Sequence, residues 1–150
     1  MEQERINKIT KIIVDIMFYS GLVVFVTLPW TLKLAGIYYS KNFSEHYLSM
    51  LFIFAAAGIF GIIIIAQLRR MMKTVISGAC FVYDNVRSLE IMAALSLSIT
   101  VLFIIKMFVV PTPATVIIIL VFFIAALFSQ VLANVFAEAI RFKEENDLTI

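Results

Sequence analysis

Four apolar runs, each long enough to cross a bilayer as a helix, take up most of this chain. A helix needs about 20 residues to cross roughly 30 Å of hydrocarbon. The runs fall at about residues 9–32, 47–68, 89–110 and 114–137. Each is continuous, without the period-two alternation of a barrel strand, and four segments are too few to close a barrel. The expected fold is therefore all-α, a polytopic membrane protein built as a bundle of four transmembrane helices in one domain. Composition agrees, with 63% hydrophobic residues, 15% charged residues and a mean hydropathy of +1.04. A soluble domain of 150 residues has too little interior to hide that much apolar surface.

Loop charge sets the expected orientation, because Lys and Arg accumulate on the cytoplasmic side. Arg5, Lys8 and Lys11 precede the first run, Arg69, Arg70, Lys73 and Arg87 lie between the second and third, and Arg141 and Lys143 follow the fourth. Only Lys33, Lys41 and Lys106 fall on the other side. Both termini, a loop over 69–88 and a tail over 138–150 are thus expected in the cytoplasm. Trp30, Tyr38, Tyr39 and Tyr47 supply an outer aromatic belt, and Lys106 is expected to snorkel outward over the turn Pro111-Thr112-Pro113. The first run carries Asp15 and no small-residue cleavage pattern, so it reads as a retained anchor. A faint repeat, Val14-Asp15-Ile16-Met17 against Leu89-Glu90-Ile91-Met92, hints at two parallel hairpins.

The fourth run holds the clearest packing signal. Ala125, Ser129, Ala133 and Ala137 recur every four residues, and Gln130, Asn134 and Glu138 run one position further round. In lipid, helices associate through small residues that admit close backbone approach and through interhelical hydrogen bonds. Both stripes are therefore expected to face the bundle, with Glu138 meeting a donor such as Arg87, and Ala57, Gly58 and Gly61 offering a matching surface on the second helix. Ile118 and Phe122 are expected to be more lipid-facing. Asp15, Glu90, Gln130, Asn134 and Glu138 make a candidate polar cluster, a cup open to the cytoplasm rather than a transmembrane path. For Asp15 and Glu90 the expected counter-ions are Arg87, Arg5 or Lys8, the alternative being a shared site for a cation or amine.

Signs of catalysis are missing. Cys80 is the sole cysteine and His46 the sole histidine, so no disulfide, metal-ligand set or nucleophile–base pair can be assembled from them. No phosphate-cradling glycine loop occurs. The expectation is a non-enzyme without cofactors, and a net charge of +2 gives no reason to expect direct nucleic-acid binding.

The segment between the second and third runs reads as a structured connector, with Phe81, Val82 and Tyr83 as an apolar patch. Asp84 and Asn85 offer N-cap chemistry for a helix beginning near Val86. After the fourth run, Glu138, Arg141 and Glu145 keep helical spacing, so that helix is expected to project from the membrane. The stretch Phe81-Val82-Tyr83-Asp84-Asn85-Val86-Arg87-Ser88-Leu89, with the terminal Glu144-Glu145-Asn146-Asp147-Leu148-Thr149-Ile150, resembles the YoaS-like membrane proteins, an uncharacterised four-helix group found mainly in Gram-positive bacteria. Cys80 stands where that group often has a proline before the phenylalanine. Members often sit beside a small helix-turn-helix regulator of the Cro/CI type, and the resemblance carries no catalytic residues.

The resemblance implies a membrane-resident regulator that binds a cytoplasmic partner of that kind. Candidate contacts are Phe81, Asp84, Asn85, Arg87, Glu144, Glu145 and Asp147. The alternative is a small transporter, channel or immunity protein, in which four spans per chain would call for a homo-oligomer.

Overall fold

The computed structural model describes residues 2–39 and 44–149, the side chain of Tyr39 excepted. Lys41, Ile150 of the terminal motif and the side chain of Tyr39 from the expected aromatic belt are therefore outside what it describes. Four long helices carry the chain: α1 (Glu2–Tyr39), α2 (Tyr47–Ile76), α3 (Tyr83–Val109) and α4 (Pro113–Leu148). Each is long and apolar enough to cross a membrane. At 1.5 Å per residue α1 and α4 run for about 57 and 54 Å, well beyond the roughly 30 Å hydrocarbon layer. Nearly all the surplus of α4 lies at the end carrying Arg5, Lys8, Arg69, Arg70 and Arg141, called here the basic end, whereas α1 overruns its apolar run by seven residues at each end.

The helix limits have local causes. α1 continues through Pro29, where the apolar run had been expected to close near Leu32. Eight residues beyond the expected end of its run, α2 stops in a Schellman motif. Gly78 adopts φ +78°, its N–H donates to the Val75 carbonyl (3.2 Å), and the Ala79 N–H donates to the Thr74 carbonyl (3.0 Å). The extended conformation suited to the residue before a proline ends α3, at Val110 (φ −139°, ψ 95°) ahead of Pro111. Pro113 then opens α4 at a position where a missing N–H costs nothing. Asp84 and Asn85 do not cap α3. It begins at Tyr83 after an extended Val82, and both residues belong to its first turn.

The four helices pack serially. Each meets its sequence neighbour, and among the described residues no Cα of α1 comes within 8 Å of one in α3 or α4, nor of α2 within 8 Å of one in α4. Two apolar clusters tie the row together. At the basic end Met71 of α2, Val86 and Leu89 of α3, and Ala133 and Ile140 of α4 are buried together. At the far end Leu32, Met50 and Val110 are buried against Leu28, Tyr47 and Phe54.

This order corrects two packing expectations. The small residues of α2 serve α1, since a Cβ on Gly58 would lie 3.0 Å from the Phe25 ring. They do not meet α4. On α4 itself Ser129 and Ala133 are buried, but Ala125 is only half-buried and Ala126 takes its place. The buried face thus follows a mixed three–four spacing, Ala126, Ser129, Ala133, Ala137 and Ile140, which tracks a 3.6-residue helix better than a strict period of four. Ile118 and Phe122 are half-buried too.

Candidate interaction surface at the basic end

Asn85 organises this end. Its side chain is 1% exposed, and its Nδ2 donates to the Cys80 carbonyl (2.7 Å) and to Thr74 Oγ1 (2.8 Å). One buried amide therefore ties the last turn of α2 and the intervening turn to the first turn of α3. Ser88 adds a second tie, donating to Gln67 Oε1 at 3.0 Å. The turn is joined to α4 as well. Phe81 packs on Phe136 with ring centroids 5.2 Å apart, and the Tyr83 hydroxyl donates to Glu144 at 3.4 Å.

The polar cluster expected from the sequence is not assembled. Asp15 pairs with Arg69 (2.6 Å), not with Arg87, Arg5 or Lys8, and the Arg69 guanidinium also stacks over Phe18 at 4.6 Å. Arg69 reaches α1 because α2 stays helical past Leu68. Glu90 is exposed on α3, where among the described residues no Cα lies within 8 Å of one in α1, so the two acids share no site. Gln130, Asn134 and Glu138 are exposed on the outer side of α4, Gln130 donating to Asn134 at 3.3 Å. Glu138 forms no ion pair with Arg87 among the described residues. The turn one position round from the buried ladder is enough to carry this stripe off the α3 interface.

Of the residues expected to contact a partner, Asn85 is buried and structural, whereas Phe81, Asp84, Arg87, Glu144, Glu145 and Asp147 are exposed. Asp84 pairs with Arg70 (3.7 Å) and Glu145 with Arg141 (3.8 Å), all four side chains being more than half exposed, so these contacts orient charge more than they stabilise the fold. Among the described residues no group of three His, Cys, Asp or Glu side chains is placed to hold a metal ion. Sequence reasoning missed Arg69 and Thr74 as partners of Asp15 and Asn85. The signal was present in the uninterrupted helical stretch from residue 69 to 76, with neither Gly nor Pro.

Fold and surface together define an all-helical, multi-pass membrane protein with an ordered platform at one end. The chain belongs to the DUF2975 family, described as a protein of unknown function, which it matches over residues 13–150. No curated protein and no solved structure matches it.

Proposed function

We propose that this chain is a bacterial cell-membrane protein with both termini cytoplasmic, and that its basic end captures a cytoplasmic protein. The observation that carries the reading is the platform on which the turn after α2, the start of α3 and the projecting part of α4 are joined. It presents Phe81, Tyr83, Phe142 and Leu148 to solvent, at 50%, 56%, 55% and 87% exposure. Exposed large apolar side chains beyond the membrane surface mark a contact site more often than chance. From Glu138 to Asp147 the tail carries four acids against two bases, so this strip of an otherwise basic end suits a basic partner. The finer likeness of Phe81–Leu89 and of the tail to the YoaS-like group points to a small helix-turn-helix regulator as that partner.

Sequestration is the mechanism this reading requires: the platform holds the regulator at the membrane and releases it when the helices repack. Release demands that the partner bind two packing states with different affinity. The test is co-purification from native membranes with the intact chain and with Phe81→Ala/Glu144→Lys. Capture of one basic cytoplasmic protein by the intact chain and its loss from the variant supports the proposal, while equal recovery, or none from either, refutes it. The transport alternative loses ground, because of the two acids it would use Asp15 is paired with Arg69 and Glu90 lies exposed on a different helix.

A further inference from the structure

Lys106 lies far from the basic end and does not snorkel. Its side chain reaches forward from the last turn of α3 into the turn before α4 and is 3% exposed. Nζ donates to the Val110 carbonyl (3.4 Å), Thr112 Oγ1 (3.0 Å) and Thr115 Oγ1 (2.6 Å). All three acceptors are neutral. The ion pairs among the described residues all belong to the basic end. Of the ten acids in the sequence only Glu45 belongs to the Lys106 end, and it is exposed and not paired with Lys106. A buried ammonium with no opposite charge is held at high cost, and such groups in a membrane protein mark binding sites.

The surroundings specify what would neutralise it. Thr112 and Thr115 each accept from Lys106 and lie 2.7 Å from one another. Their mutual bond uses one hydroxyl proton and leaves the other free to donate. The positive end of α4 begins at the same place, at Pro113. A cation, a spare hydroxyl proton and a helix N-terminus converge, which is the chemistry of an anion site.

The space beside Lys106 is otherwise apolar. A cleft of about 320 Å³ opens there, walled by Ala35, Phe54, Phe103 and Ala114. Phe54 also borders a second cleft, of about 300 Å³, that follows α1 and α2 past Gly61 to Ile65. Residues 54 to 65 of α2 cover about 16 Å along the helix axis. Gly61 widens this slot, since a Cβ there would meet nothing within 4 Å.

From this juxtaposition we infer that Lys106, Thr112 and Thr115 bind the phosphate or carboxylate head of an anionic amphiphile whose tail lies along the slot between α1 and α2. The inference is independent of the partner proposed for the basic end.

The test uses the purified full-length chain in neutral detergent. Binding is read by native mass spectrometry with phosphatidylglycerol, palmitate, phosphatidylcholine and inorganic phosphate as separate probes. An anionic amphiphile should bind roughly tenfold or more tightly than phosphatidylcholine, as expected when one charged hydrogen-bonded contact is added. Preference for palmitate assigns a carboxylate head, and preference for phosphatidylglycerol a lipid phosphate. Lys106→Met should abolish the preference. Gly61→Leu should weaken the amphiphile and leave inorganic phosphate unchanged. If Lys106→Met does not fold, Thr115→Val serves instead, and it should reduce the preference several-fold. Equal binding of phosphatidylcholine and the anionic probes, or a preference that survives Lys106→Met, overturns the site. Inorganic phosphate binding as tightly as the amphiphiles overturns the tail.

Discussion

Ala133→Leu probes the packing argument most directly. Ala133 is 1% exposed and lies in the cluster of Met71, Val86, Leu89 and Ile140, where α4 meets α3. The substitution adds three carbons where nothing yields except a neighbouring helix, and overpacking of this kind costs about 1–3 kcal/mol. At 1.4 kcal/mol per tenfold, the unfolding equilibrium should shift by roughly five- to 150-fold. Ala125→Leu is the control. It stands eight residues away, about 80° round the helix, at the half-buried edge of the ladder. There the added carbons can turn outward, and the change should stay within about 0.5 kcal/mol. Reversible unfolding in mixed micelles, followed by far-ultraviolet circular dichroism, measures both. A neutral Ala133→Leu, or an Ala125→Leu that costs as much, would refute the assigned face of α4.

Asn85→Ala should destabilise the chain by about 1–3 kcal/mol in the same assay, because the Cys80 carbonyl and Thr74 hydroxyl lose their partner in a buried place. Unchanged stability would show that the amide does not pin the turn. Asp15→Asn and Arg69→Gln, singly and together, should give a coupling of about 1 kcal/mol or less, since both side chains keep close to a third of their surface in contact with the surroundings. Zero coupling would remove the α1–α2 ion pair from the account. In a Cys80→Ser background, cysteines placed at His46 and Ser77 should react with an impermeant maleimide from opposite sides of the membrane. Reaction of both from one side would overturn the four-span topology.

The spans could be read from the sequence because lipid imposes a length and a polarity that four apolar runs satisfy almost independently of one another. Which helix touches which could not. Serial packing and closed packing bury the same small residues, and only the contacts separate Gly58 against Phe25 from the expected meeting of α2 with α4. The polar residues failed for a related reason. A stripe at 130, 134 and 138 lies so near the ladder that a rotation of one residue, about 100°, decides whether it faces α3 or the outside. Helix ends mattered as much. Treating Arg69 as the start of a loop hid the partner of Asp15, whereas eight more residues of helix place the guanidinium against α1. Lys106 carries the same lesson to the opposite end. Four residues from a short turn, it had an easy route to water, and the sequence gives no reason for refusing it. The reason lies in Thr112 and Thr115, which the turn brings within 3.0 and 2.6 Å of Nζ. A lysine whose protons go to neutral acceptors, one of them as far as 3.4 Å, leaves its charge unanswered, and the proposed anion site rests on that observation.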